Sequence, residues 1–202
     1  MAFTFFFRDR HTLEQLADEL IKNKQEGDSI KVWDAGCAMG PEPYTFAMIL
    51  REKIGKYWYK SVQISASDID ENNHFHKIIV DAIYQKSELE RMPADIFEKY
   101  FSKYDDNNNY LIVDEIKKSL KFTKHDLLTL KPLEKACDVI ICKNVLLHFT
   151  QQQRIDVIKM YHSVLKRGGL LTTEQTQPLP AEVTHLFEKV VPNANVFRKV
   201  DL

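Results

Sequence analysis

The sequence lacks the residues that mark several large functional classes. Its three cysteines, Cys37, Cys137 and Cys142, make no C-x-x-C pair and leave an odd count, so a disulfide framework is not expected. The formal net charge of −1 gives no general field favouring nucleic acid or an acidic membrane surface. No apolar run approaches a membrane span, and "MAFTFFFRDR" is too short for a signal-peptide core. "HFH" at 74–76 falls in a predicted helix without further ligands, so no metal site is expected. No Ser-His-Asp or Cys-His arrangement stands out. These absences point to a reduced, cytoplasmic protein with no nucleic-acid partner and no membrane insertion.

What is present is an alternation of strands and helices. Leu13, Leu16, Ala17, Leu20 and Ile21 recur at helical spacing and predict an amphipathic helix over 11–24. "IKVWDA" (30–35) reads as a buried strand, and Pro41 suits the first turn of a helix running to about Ile54. "VQISASDID" (62–70) is a second strand, with Asp70 placed to cap the helix after it. Pro93 opens a short helix through "ADIFEKYF". Residues 110–123 alternate apolar and polar around Asp114 and Glu115, predicting a small β-insert at about 97–123. It either docks a protein or packs on the main domain. "CDVIICKNV" (137–145) is another buried strand, and Thr150 caps a helix over 151–166. "RGG" then turns the chain into the strand "LLTT"; a helix from about Ala181 and a strand near 196–200 finish it. This order predicts an α/β fold, a doubly wound and mainly parallel sheet, in one domain over 1–202 with the small insert. Ligands of such sheets sit at the carboxyl ends of the strands.

"VWDAGCAMGPEPYTFAM" (32–48) lies at such an end. Gly36 and Gly40 permit close backbone approach at a strand–helix joint. Their spacing is neither the dinucleotide fingerprint G-x-G-x-x-G nor a phosphate loop. Asp68, closing the next strand, is placed to accept hydrogen bonds from ribose hydroxyls. A nucleoside without a pyrophosphate fits, S-adenosylmethionine being the common one; a tight structural joint fits the glycines as well. Glu42 is favoured by the helix dipole and could also take an ammonium group.

Taken together, these motifs resemble the chemoreceptor glutamate methyltransferases of the CheR family. "TFFFR" (Thr4–Arg8) matches the family's T-x-F-F-R, and "WDAGCAMGPEPYT" (Trp33–Thr45) its W-S-A-G-C-S-T-G-E-E-P-Y-S. "ASDID", "FTKHDLL", "IICKNVLLHF" and "LKRGGLL" occur in the family's order. The resemblance implies a class I methyltransferase fold with an inserted β-subdomain, S-adenosylmethionine as cofactor, and a protein acceptor like the cytoplasmic domain of a chemoreceptor. It implies that Thr4 and Arg8 reach the cofactor from the N-terminal segment, that Glu42 binds its amino-acid end and that Asp68 holds its ribose. Asp126 and Leu127 would flank the adenine, and Lys143 and Asn144 would close the site.

The chain departs from the family pattern at Ala2, Pro41, Lys143, His148 and "EQTQ" (Glu174–Gln177), and the family's usual N-terminal helical domain does not precede Thr4. Lys143 lacks the planar fork of the arginine it replaces. Arg8 is expected to position an acceptor carboxylate, or else to be a surface arginine. His148 is a candidate catalytic residue beside the methyl group; its alternative is a buried, hydrogen-bonded histidine. At least two of Phe5, Phe6 and Phe7 are expected in the core. Three functions are open: transfer of methyl to receptor glutamates, transfer to another protein or small-molecule acceptor, or a non-catalytic cofactor-binding signalling module.

Overall fold

Helical apolar spacing near the start of the chain becomes α1 (Arg10–Lys22), which buries Leu13, Leu16, Ala17 and Leu20 on one face. The computed structural model describes residues 4–201, so Ala2 lies outside it. β1 (Ile30–Ala35) runs into α2 (Pro41–Tyr59), where Pro41 occupies the opening turn and Gly55 (φ 75°) breaks the dihedrals beyond Ile54. β2 (Val62–Asp68), α3 (Phe75–Asp81) and β3 (Ile83–Gln85) come next. Asp70 caps the start of α3, its carboxylate accepting the backbone N–H groups of His74, Phe75 and His76. Then come α4 (Ala94–Tyr100), β4 (Phe101–Lys103), β5 (Asn109–Ile112), α5 (Asp114–Lys117) and β6 (Leu120–Lys124). The last third holds β7 (Cys137–Cys142), α6 (Gln151–Val164), β8 (Leu165–Thr173), β9 (Phe187–Lys189) and β10 (Val196–Lys199).

The main sheet has seven strands in the order β6-β2-β1-β7-β8-β10-β9. β6, β2, β1, β7 and β8 are parallel, and β10 runs antiparallel to both its neighbours. The chain leaves β1 outward through β2 and β6 and returns to β7 on the other side of β1. The switch point therefore lies between the carboxyl ends of β1 and β7. One face packs Val32, Ile64, Val139 and Leu170 under α1 and α2; the other packs Trp33, Ile140 and Leu171 against Ile158 and Tyr161 of α6. Thr150 and Gln153 close a reciprocal capping box at the start of α6.

The small insert differs from its sequence outline. Its three-stranded sheet, β3-β5-β4, draws on residues as early as Ile83, while β6 belongs to the main sheet with Ile64 opposite Leu120. Alternation of period two reads the same in either sheet, and partners this distant carry no local signal. Ile112 and Ile116 are fully buried, packing the insert onto the main domain. "RGG" sits inside β8, at an irregularity opposite Cys137 and Val139, instead of before the strand. The expected helix from Ala181 is one 3₁₀ segment, Ala181–Leu186, leading into the unforeseen β9.

Candidate functional site

Phe6 ties the N-terminal segment to the insert. It is fully buried, with its ring edge-on to Tyr84 (4.9 Å) and Phe101 (5.6 Å). Phe7 is half-buried against the same core, and its N–H donates to Thr45 Oγ1 at 3.0 Å. The segment thus anchored crosses the carboxyl end of the sheet. There Arg8 Nη2 donates to Asn144 Oδ1 (3.3 Å) and Lys143 Nζ reaches Asp9 Oδ2 (2.7 Å). Lys143 and Asn144 directly follow β7, so the N-terminal segment is fastened across the switch point.

Beneath it lies a cavity of about 550 Å³. Thr4, Arg8, Gly36, Glu42, Asp68, Asp126, Leu127, Lys143, Asn144 and His148 all line it. The fold brings these together from residues up to 144 positions apart. Gly36 sits at φ 101°, and a Cβ there would lie 2.1 Å from Val145 Cγ2, so the turn and the segment after β7 meet in a space only glycine leaves. Gly40 (φ 97°) does not line the cavity. Its missing Cβ makes room for Ile79 and the Tyr84 hydroxyl instead, a joint between α2, α3 and the insert.

Asp68 is fixed from both sides. Oδ2 accepts the N–H of Ala38 at 2.9 Å and Oδ1 that of Asp70 at 3.3 Å. The glycine turn is held to the end of β2 as well, since the N–H groups of Gly36 and Cys37 donate to the Ser67 carbonyl. Asp126 Oδ1 caps a short 3₁₀ turn by accepting the Leu128 N–H at 2.9 Å, which leaves Leu127 buried and Leu128 exposed at the cavity. His148 is exposed on the turn Leu146–His148, because β7 ends at Cys142 and the chain has already left the sheet; it is not the buried histidine the strand pattern allowed.

The electrostatics concentrate at one end. The Lys143 side chain is fully buried between Asp9 and Glu42, the latter 3.4 Å away. Burial pushes the Glu42 carboxyl up, with Lys143 opposing. Asp34, the last polar residue of β1, is fully buried, and neither of its oxygens has a hydrogen-bond partner among the described residues. Burial first, then the charge of Glu42, holds it well above the ordinary carboxylate range. Asp9 and Glu42 thus share Lys143, whose charge favours ionisation of Asp34 while Glu42 and Asp68 oppose it. Such a cluster is costly alone and is relieved by a further cation. Burial and Asp34 together push the Cys37 thiol well up, so it is no thiolate nucleophile.

Sequence reasoning overlooked Asp34, although an aspartate inside the apolar run "VWDA" is itself a signal, since a charge in a buried strand is retained only for a reason. It also overlooked Ile69, His125, Val145, Leu147 and Phe149, which line the cavity but belong to no charged or glycine pattern.

Known proteins give this arrangement a place. A profile described as "CheR methyltransferase, SAM binding domain" matches residues 2–195. Chemotaxis protein methyltransferase 2 of Vibrio cholerae is 31% identical over 173 residues, which cover 83% of this chain and 59% of that protein. The chemotaxis protein methyltransferase of Listeria monocytogenes is 30% identical over 168 residues, 82% of this chain and 61% of its own length. The chain thus spans about three fifths of the curated relatives it matches. The magnesium protoporphyrin IX methyltransferase of Synechocystis PCC 6803, solved with bound SAM, aligns over 95% of this chain and 77% of its own, with a TM-score of 0.50 and 17% identity. The N-methyltransferase NodS of Bradyrhizobium japonicum, solved with S-adenosylhomocysteine, aligns over 96% and 88%, with a TM-score of 0.50 and 15% identity. At such low identity these two structures speak to the fold alone, which is that of class I methyltransferases. With the family profile running nearly end to end, the chain belongs to the CheR methyltransferase family, matching its SAM-binding domain.

Proposed function

We propose that this chain binds S-adenosylmethionine in the cavity at the switch point and methylates a carboxylate on a protein acceptor. The observation that carries the reading is the acidic end of the cavity, where Glu42 lines the wall and shares Lys143 with Asp9, while Asp34, buried nearby outside the lining, has no partner among the described residues. An α-ammonium group suits Glu42, and Asp68, held in place by Ala38, suits a ribose diol. Asp126 and Leu127 would flank the base. When bound, the cofactor supplies a methyl group on a positive sulfur, and a carboxylate, already ionised at neutral pH, takes it without losing a proton.

The chain's own residues then act mainly by placement. Arg8, steadied by Asn144, would orient the two acceptor oxygens, while Lys143 holds Glu42 and Asp9 so that the N-terminal segment stays closed. His148 is exposed at the cavity, where an acceptor that must shed a proton would find a base. That favours transfer to an amine or hydroxyl as the second reading. In the described residues no helix is long and apolar enough to cross a membrane. The test is transfer of labelled methyl from S-adenosylmethionine to cell lysate protein, followed by mild alkali. Release of labelled methanol marks a carboxyl ester; alkali-stable label marks the second reading.

A further inference from the structure

Asp9 stands just before the first turn of α1, where an aspartate ordinarily accepts one of the helix's unpaired N–H groups. Here it does not. Its backbone is left-handed (φ 53°, ψ 34°), its side chain makes no capping bond, and Oδ2 accepts instead from Lys143 Nζ at 2.7 Å. Phe7 and Asn144, on the two sides of the same fastening, are left-handed as well, each at φ 60°. L side chains disfavour that region, a bulky phenylalanine above all, and such backbones persist only where surrounding contacts hold them. The segment thus forgoes a helix cap and keeps unfavourable dihedrals while it is linked across the cavity.

That link is contested. The buried Lys143 Nζ also lies 3.4 Å from Glu42 Oε2, and Glu42 lines the cavity whereas Asp9 does not. A cation reaching Glu42 from the cavity would satisfy that carboxylate and leave Lys143 to Asp9. Two arrangements therefore compete. In the closed one, described here, Asp9 holds Lys143; in the open one Asp9 turns back to cap α1 and Lys143 stays with Glu42. We propose that Asp9 is a positioning residue that switches between these two places, so that the cofactor's α-ammonium group at Glu42 closes the N-terminal segment over the cavity. Closure seats Arg8, the neighbouring residue, against Asn144, where it would orient the acceptor. The inference rests on the cofactor reading above and adds how the bound cofactor is sensed.

The experiment uses the full chain with S-adenosylhomocysteine and with its analogue in which hydrogen replaces the α-amino group. Amide exchange is followed by mass spectrometry and affinity by calorimetry. Saturating S-adenosylhomocysteine should slow exchange at 7–10 about tenfold, the scale of one charge-assisted pair, and the saturating analogue should leave it near the ligand-free rate. Asparagine caps a helix as well as aspartate does but offers Lys143 no charge. Asp9→Asn should therefore keep 7–10 exchanging fast with either ligand, and shrink the affinity ratio between the two ligands about tenfold. Asp9→Glu, charged but a poor cap, should restore part of both effects. A merely structural role for Asp9 would weaken the two ligands alike and leave their ratio unchanged. Equal exchange with the two ligands, or an unchanged ratio in Asp9→Asn, overturns the proposal, while binding itself leaves the cofactor reading standing. No binding of S-adenosylhomocysteine by the wild type removes that reading and the proposal together.

Discussion

Replacing Asp34 by asparagine changes charge at nearly constant shape and isolates what the buried carboxylate does. In the folded protein Asp34 keeps its proton to a pH well above that of an exposed aspartate, burial being the main cause. The unfolded chain ionises near pH 4, so above that the native state holds one proton more than the unfolded state. More protons on the native state means that stability falls as pH rises, by about 1.4 kcal/mol per unit between the two pKa values. Asp34→Asn removes this dependence. Its melting temperature relative to wild type should therefore climb with pH above about 4, by about 3–6 °C per pH unit until Asp34 ionises in the fold, at the roughly 2–4 °C per kcal/mol of a domain this size. If the cofactor's ammonium reaches past Glu42 to Asp34, which lies outside the cavity lining, affinity for S-adenosylmethionine should fall by roughly 1.5–3 kcal/mol, the worth of a hydrogen bond to a charged group. Thermal melts across pH 5–7 and titration calorimetry read both. A melting gap flat with pH would show that Asp34 ionises normally in the fold, and unchanged affinity would show that no cation reaches it.

The geometry sets three further outcomes. Gly36→Ala should destabilise the protein and weaken cofactor binding, because its Cβ would meet Val145 Cγ2 at 2.1 Å with φ at 101°; adding Val145→Ala should recover part of the loss, the strained φ remaining. Asp68→Ala should cost roughly 1.5–3 kcal/mol in calorimetric cofactor affinity and also free the Ala38 N–H, which amide exchange would register as a looser glycine turn. Arg8→Lys should lower kcat far more than cofactor affinity, and His148→Tyr should retain activity if the acceptor is a carboxylate. A dead His148→Tyr enzyme, with a wild-type rate rising through the histidine range, would instead favour the proton-losing acceptor.

Much of this architecture could be read from residues near one another. β1, β2 and β7 announce themselves as apolar runs, and Thr150 with Gln153 marks the start of α6. The features that escaped depend on distant partners. Leu120 and Phe122 alternate as an insert strand would, yet their partners Ile64 and Ala66 lie in the main sheet. The same holds in the site. Motif residues are visible in the chain, but Gly40 looks like its neighbour Gly36 until Tyr84 and Ile79 are seen beside it.

The fastening of the N-terminal segment also sets when the cavity can exist. Arg8 meets Asn144 across 136 positions, and Lys143 meets Asp9 across 134. Arg8 and Asp9, made well before β7, thus wait for it before these contacts can form. Closing so long a loop comes late in folding, after local helices and the β1–β2 pairing have formed. The same pair of contacts is a point for partial opening in the finished protein: releasing them would loosen the segment around Arg8 and Asp9 while the strands beneath keep their ladder. Access to the cavity and stability of the sheet are therefore separable, and amide exchange at 7–9 should run ahead of exchange in β1 and β7.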